Sequence, residues 1–297
     1  THGIVYLTMY FSLTNYSLPE LTQLTLLSEF FGELPTASYS AAELQKQIKS
    51  TIGSLSFRLG SAAKNKQTET CKPYFQVRAG LLKEKLAEAK TLLYEILTQT
   101  KFDDSDKIRE IVLQVDDASR QAAIGNGHAL AVSAVRAHYT ANAAVHEATE
   151  GYTFLKFQHD LAKNFETMAE DFLSLLRRAT KEFFCRAHLT VSVTGPEETE
   201  ISDLVSAFPQ GEPAPENARY QTGLPERMGI RIPAQTAFAV KGYHLSRCQT
   251  DVSGSLRVAA NILTLGFLWN QIRVQGGAYG AGFPVSRDGS VLCYSYR

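Results

Sequence analysis

The sequence has few cysteines, no excess of either charge and no long apolar run. Four cysteines occur among 297 residues, at positions 71, 185, 248 and 293, and none has the spacing of a zinc knuckle or a disulfide framework. Lysine plus arginine equal aspartate plus glutamate at 30 each, so no global field favours nucleic acid. There is no apolar run of about 18 residues and no basic-then-apolar leader. We therefore expect neither nucleic acid nor a membrane as partner, and the unpaired cysteines favour a cytoplasmic, reducing location.

Hydrophobic residues make up 44% of the chain, which is ordinary for a globular protein, and their pattern is α+β. The β-branched and aromatic run at residues 3–13 predicts a strand buried on both faces. Two capping boxes begin predicted helices, Ser17 with Glu20 for a helix to about Gly32, and Ser40 with Glu43 for a helix through Ile48. Two strand-like stretches follow, at 53–61 and 71–79.

A helical period then dominates from Leu81 to about Phe184 and predicts a layer of four or so helices. A strand at 188–194 and a short helix at about 198–208 follow. The stretch 209–234 contains five prolines and three glycines, which is typical of a linker. These patterns predict a first domain at 1–208 with a large helical layer, and a second, truncated domain at 235–297.

The second domain has its own order of predicted elements. They are a strand at Thr236–His244, a helix from about Ser253 to Asn270, a turn at Gly276 and Gly277, and strands at 278–285 and 290–296. Asp288-Gly289 between the last two is a hairpin signal. We expect Val291–Tyr296 to form an unfinished sheet edge, which would invite self-pairing.

The most informative stretch is the end of that last helix, Arg273-Val-Gln-Gly276-Gly277-Ala-Tyr279-Gly. The two glycines permit a tight turn with positive φ, so Arg273 and Tyr279 would lie on either side of it. A guanidinium can hold a peptide carbonyl and a phenol can donate to a developing oxyanion. The alternative is a glycine helix cap with a solvated arginine and a packed tyrosine. Spacing alone leaves both interpretations open.

This arginine and tyrosine signature resembles that of the fourth domain of pitrilysin- and insulysin-type zinc metallopeptidases. Further motifs resemble the presequence-protease branch of that family, in order along the whole chain. They are Gly3-Ile4-Val5-Tyr6-Leu7, Tyr39-Ser40-x-x-Glu43-Leu44, Asn126-Gly127-His128 with Ala131 and Arg136, and Gly151-Tyr152-Thr153-Phe154-Leu155.

The resemblance implies four related α/β domains, two in each half, around a chamber in which unfolded peptides are cut. It places the zinc in the N-terminal half, on an inverted His-x-x-Glu-His motif and a distal glutamate. Neither that motif nor His-Glu-x-x-His occurs here. The chain would then match the third domain and the first part of the fourth, with the N-terminal zinc-binding half as partner. Alone, it would bind no metal or cofactor and be inactive.

Three other features have simpler interpretations. His146 and Glu150 lie one helical turn apart and could hold a stray metal, but a solvated helix face explains them as well. His128, in an interhelical loop, is interpreted as a capping or packed histidine rather than a catalytic one. Gly280-Ala281-Gly282 follows a helix, whereas a dinucleotide loop follows a strand.

The sequence thus predicts the substrate-binding, chamber-closing half of a zinc metalloendopeptidase, in which Arg273 and Tyr279 bind the substrate and its oxyanion. Residues 235–297 carry six Lys or Arg and two Asp, which would suit acidic peptide segments. The alternative is a non-catalytic peptide-binding or scaffold subunit of the same fold. Because a pure scaffold needs neither Arg273 nor Tyr279, their presence argues against it.

Overall fold

The computed structural model describes residues 3–64, 67–196 and 199–297. Eight strands occur in these ranges: β1 (Ile4–Ser12), β2 (Ser54–Ala62), β3 (Thr70–Leu82), β4 (Leu189–Thr194), β5 (Ala218–Arg219), β6 (Phe238–His244), β7 (Gly280–Gly282) and β8 (Ser290–Tyr296). The mixture of helix and sheet confirms the α+β class.

Besides three short 3-10 helices, eleven α-helices and one π-helix, labelled α12, accompany the strands within the same described ranges. They are α1 (Leu18–Leu24), α2 (Leu27–Phe30), α3 (Ala41–Thr51), α4 (Leu86–Gln99), α5 (Ser105–Gly125), α6 (Gly127–Arg136), α7 (Ala141–Glu150), α8 (Tyr152–Lys163), α9 (Phe165–Phe183), α10 (Ser202–Ala207), α11 (Gly254–Ile262) and α12 (Leu263–Gln275). No helix in the described part of the chain is both long enough and apolar enough to cross a bilayer.

The chain forms two compact units that interleave along the sequence. The first comprises Thr1–Ser61, Lys72–Asp116 and Lys156–Ala218, and the second comprises Ala62–Cys71, Asp117–Leu155 and Arg219–Arg297. The division into domains at 1–208 and 235–297, with a linker at 209–234, stays a prediction.

The first unit is built on an antiparallel sheet whose main strands have the order β2-β3-β1-β4. Strand β1 is central, with Tyr6 opposite Gly80 on β3 and Thr194 on β4. Its inward face is Val5, Leu7, Met9 and Phe11, all buried. The prediction that β1 is buried on both faces is wrong, because the opposite face carries Tyr6, which is 43% exposed. Antiparallel sheets tolerate one solvated face.

Aromatic side chains fill the core of the first unit. The ring centroid of Phe11 lies 4.8 Å from that of Phe184 and 5.4 Å from that of Phe208, and both pairs are edge to face. The ring centroids of Phe183 and Phe184 are 4.3 Å apart, with the rings tilted. Such offset and edge-on pairs are the favoured arrangement of aromatic quadrupoles. Phe183, the last residue of α9, and Phe184, which follows it, therefore fix the end of this helix against β1.

The capping boxes begin helices as predicted, because Glu20 and Glu43 each accept a hydrogen bond from the backbone N–H of their serine at 2.9 Å. The helical stretch from Leu81 to Phe184, however, contains six α-helices, α4–α9, rather than about four. Thr140, whose hydroxyl accepts from Ala143 N–H at 3.0 Å, caps α7, and Gly151 follows its end. The first predicted helix is likewise divided at Thr25. The predicted start of the short helix at residue 198 lies outside the described residues.

In the second unit, the sheet has the order β6-β8-β7. Tyr296 of β8 is opposite both Phe238 of β6 and Gly280 of β7. The expectation that Val291–Tyr296 is a free edge is therefore wrong: β8 is the central strand. Strand β7 is shorter than the predicted 278–285 because Pro284 cannot donate to the ladder.

Candidate substrate-binding site

The candidate site lies at the end of the α11–α12 helix, which continues to Gln275, beyond the predicted Asn270. Ser253 begins it as an N-cap, accepting from Leu256 N–H at 3.1 Å. The α12 segment is π-helical. This widened form of helix is rare in proteins overall, but where it occurs it is often part of a functional site. Its end is the predicted turn: Gly277 has φ +72° and donates its N–H to Arg273 O at 3.0 Å.

Arg273 is held by two contacts of different kinds. Its Nε donates to the backbone carbonyl of Tyr279 at 3.1 Å, across the turn. Its Cζ lies 4.0 Å from the ring centroid of Trp269, one helical turn earlier, within the range of a cation–π contact. Arg273, which the helix-cap alternative would leave simply solvated, is therefore exposed but oriented.

Tyr279 leads into β7, and its backbone N–H donates to Tyr296 O at 2.9 Å. Its side chain is 68% exposed. Among the residues that the structure describes, none forms a hydrogen bond with its hydroxyl. The structure thus brings the side chain of Arg273 to the backbone of Tyr279 across the turn and leaves the phenol in solvent. The functional roles of the two side chains stay predictions.

Close packing of β7 against β8 fixes the strand that follows Tyr279. A Cβ at Gly280 would lie 2.5 Å from the ring of Tyr296, so any larger residue would require that ring to shift. On the other side of the turn, Arg297 Nη1 donates to Gly276 O at 3.2 Å. The backbone of the turn is therefore anchored to β8 at both ends.

A polar cluster secures the β8 hairpin to α6. Asp288 accepts from Arg136 Nη2 at 2.7 Å and from Ser290 N–H at 3.0 Å. The Asp288 carbonyl lies 2.8 Å from His244 Nε2. Burial raises the pKa of the Asp288 carboxyl, but the Ser290 N–H and the Arg136 guanidinium outweigh it and hold that pKa below its usual range.

Neither histidine considered in the sequence analysis contacts Arg273 or Tyr279 in a bond or ring pair among the described residues. His128 stacks on Tyr296 at 5.5 Å between ring centroids, so it is a packed histidine, as interpreted. His146 Nε2 lies 3.3 Å from Glu150 Oε2 on an exposed helix face. Across the described ranges, no three His, Cys, Asp or Glu side chains are grouped to hold a metal ion. A two-residue set does not fit the four-coordinate site that protein-bound zinc prefers.

Trp269 is the residue of the site to which the sequence analysis assigned no role. Its signal was available, because Trp269 and Arg273 have i, i+4 spacing on a helix and such residues face each other. The same helix has other exposed apolar residues, such as Leu265 and Phe267. Trp269 therefore did not stand out from them in the sequence.

Comparison with known proteins places the chain. The model of the family described as peptidase M-16C associated matches residues 1–161, which is more than half of the sequence. The chain belongs to this family. Among the curated relatives, protein HypA of Clostridium perfringens is 27% identical over all of this chain and 31% of its own length. The mitochondrial presequence protease of Saccharomyces cerevisiae is 26% identical over 92% of this chain and 29% of its own length.

The fold is that of the pitrilysin-type peptidases. The crystal structure of pitrilysin superposes with a TM-score of 0.54 over 99% of this chain and 31% of that one, at 12% identity. The resemblance to this family and to its presequence-protease branch is thereby confirmed. The peptidase-associated chain spans about a third of the length of the curated relatives it matches.

Proposed function

We propose that this chain is the substrate-binding, chamber-closing part of a zinc metalloendopeptidase that degrades unfolded peptides. The observation that carries the proposal is the state of Arg273 and Tyr279 at the glycine turn. Arg273 is oriented by Trp269 and the Tyr279 carbonyl, and Tyr279 presents an exposed phenol beside it. Both are donors with unused capacity on the same short segment.

The chemistry follows from the donors that remain. A guanidinium has five N–H groups, and in the described structure only Nε of Arg273 donates to protein. The others can hold the backbone carbonyl of a bound peptide. The phenol of Tyr279 can donate to a carbonyl oxygen that gains negative charge as the peptide bond is attacked, a contribution made mainly in the transition state.

In this proposal the zinc is bound by the N-terminal half of the enzyme and by no residue of this chain. The His146 and Glu150 pair does not fit a zinc site, so no step is assigned to a metal on this chain. We propose that this peptidase-associated chain, when purified alone, retains no stoichiometric zinc after dialysis and cleaves no peptide. One zinc per chain by metal analysis, or chelator-sensitive cleavage of a fluorogenic peptide by pure protein, would overturn that proposal.

The test of function is kinetic and uses the full-length protein that contains this chain. Tyr279→Phe removes one hydroxyl and keeps the ring, so we expect kcat to fall about a hundred- to a thousand-fold with little change in stability. Arg273→Ala should also raise KM, because a guanidinium on the substrate backbone acts in the ground state as well.

Matched controls lie in the same unit. Arg257→Ala removes an exposed arginine of α11, and Tyr243→Phe removes the hydroxyl of an exposed tyrosine of β6. Both should leave kinetics unchanged, with equal zinc content in all variants. Wild-type kcat and KM for Tyr279→Phe and Arg273→Ala would refute the proposal and favour the non-catalytic scaffold.

A further inference from the structure

We propose that Trp269 is the positioning residue for Arg273, an inference that rests on the function proposed above. Trp269 is the only tryptophan of the chain, and it is 38% exposed on α12. Cζ of the Arg273 guanidinium lies 4.0 Å from the centroid of the Trp269 ring. Tryptophan is the strongest cation–π partner among the aromatic residues.

The kind of contact matters more than its strength. With Cζ only 4.0 Å from the ring centroid, the guanidinium is close enough for its flat face to lie on the indole, and its N–H donors would then point outward in its plane. A carboxylate partner would orient an arginine too, but it would occupy two of those donors. Trp269 therefore fixes the plane of Arg273 and leaves the donor edge available to a peptide carbonyl.

The surroundings of Arg273 favour this division of labour. The whole of Leu263–Gln275 contains no acidic residue, and in the part of the chain that the structure describes Arg273 has no ion-pair partner. Its one protein hydrogen bond, from Nε to Tyr279 O, fixes the rotation of the guanidinium within the plane set by the indole. The face of the guanidinium is thus held by the Trp269 ring, and its Nε edge is held by the Tyr279 carbonyl.

A residue that acts only through Arg273 makes a specific kinetic prediction. In the full-length protein, Trp269→Leu should lower kcat/KM about 2- to 30-fold, mainly through KM, which corresponds to about 0.5–2 kcal/mol of lost cation–π interaction. Trp269→Phe, which keeps a weaker aromatic face, should lose less. In an Arg273→Ala background, Trp269→Leu should have no further effect, because coupled residues are not additive.

The matched control is Phe267→Leu. Phe267 is an aromatic residue of the same helix, 58% exposed, and no guanidinium stacks on it in the described structure. The Phe267→Leu variant should therefore have the kcat/KM of the wild type. A loss on Trp269→Leu that is equally large with and without Arg273, or that Phe267→Leu reproduces, would show that the helix surface matters in general and would overturn the inference.

Fluorescence tests the stack itself, independently of catalysis. When the chain of 297 residues is measured by itself, it has one tryptophan, so its emission reports on Trp269 alone. Arg273→Ala removes the group that covers one face of the indole, so the emission maximum should shift to longer wavelength. Arg257→Ala should cause no shift. Unchanged emission in Arg273→Ala would overturn the inference.

The two assays separate the inference from the function on which it rests. If Arg273→Ala slows turnover and Trp269→Leu does not, the positioning role fails and the proposed function stands. If Arg273→Ala has wild-type kinetics, the proposed function fails and the positioning role fails with it. A red shift together with a non-additive loss of kcat/KM supports both.

Discussion

The ion pair between Arg136 and Asp288 should stabilise the second unit by an amount that depends on pH. Asp288→Asn keeps the shape of the side chain and removes its charge. The variant leaves the Arg136 guanidinium, which is partly buried, without its carboxylate partner at 2.7 Å. Because the hairpin that contains Asp288 is tied to α6 through this contact, the loss should be felt by the whole unit.

The magnitude follows from burial. Hydrogen bonds to charged groups contribute about 1.5–3 kcal/mol when sheltered, whereas exposed pairs contribute about 0–1 kcal/mol. The Arg136 and Asp288 side chains are 36% and 27% exposed, between these cases. We therefore expect Asp288→Asn to lower the free energy of unfolding by about 1–2 kcal/mol at pH 7.

The sign of the pH dependence is set by the lowered pKa of Asp288 in the fold. Stabilisation by the charged carboxylate is fully present above the unfolded value of about 3.9, and it is lost as pH falls through the lower folded value. The wild-type advantage over Asp288→Asn should therefore be similar at pH 7 and 5, and smaller at pH 3.

Urea unfolding followed by Trp269 fluorescence measures this difference, because Trp269 and Asp288 belong to the same unit. The control is Glu69→Gln, which removes the exposed pair with Arg219 in that unit, 3.2 Å apart and more than 70% exposed on both sides. It should change stability by less than about 1 kcal/mol. Equal stability of Asp288→Asn and wild type at pH 7, or a difference that is the same at pH 3, would refute the reasoning.

Three further outcomes are expected. His188→Phe should lower the free energy of unfolding of the first unit by about 1–3 kcal/mol in circular dichroism melts. The buried ring nitrogens lie 2.9 and 3.0 Å from two backbone carbonyls, and the carbonyl that accepts from the ring N–H would lose its donor. Gly277→Ala should lower the free energy of unfolding by about 1–2 kcal/mol in urea, since φ is +72°, whereas Gly229→Ala, where an added Cβ would meet only open space, should be neutral. A thiol reagent should modify exposed Cys248 at once, but should modify Cys71, whose pKa burial raises to about 12, only after unfolding.

Local features of the fold could be predicted from the sequence and long-range ones could not. The capping boxes at Ser17 and Ser40 and the Asp288-Gly289 hairpin involve residues within four positions of one another, so their signals are contained in short stretches. The central position of β8 depends on pairing with β6, some fifty residues earlier. No local pattern specifies such a pairing, which explains why β8 was wrongly expected at an edge.

The candidate site shows the same division. The turn at Gly276 and Gly277 was predictable because glycine alone takes positive φ readily. The i, i+4 contact of Trp269 with Arg273 was also local, but it competed with many apolar residues on the helix. The missed helix breaks at Thr140 and Gly151 have ordinary cap residues inside a stretch whose hydrophobic period continues across them.

The state of Tyr279 bears on the choice between a helix cap and a binding site. A cap requires Gly277 and the backbone bonds around it, and the structure has both. It gives no reason for the side chain at 279, and the packed tyrosine that the cap interpretation expects is instead 68% exposed. Large aromatic side chains gain stability mainly by burial, so an exposed tyrosine contributes little to a cap. A hydroxyl that binds substrate must be accessible, so the binding-site interpretation accounts for the exposure of Tyr279. Because Tyr279→Phe keeps the ring and removes one donor, its kinetics separate the helix cap from the binding site.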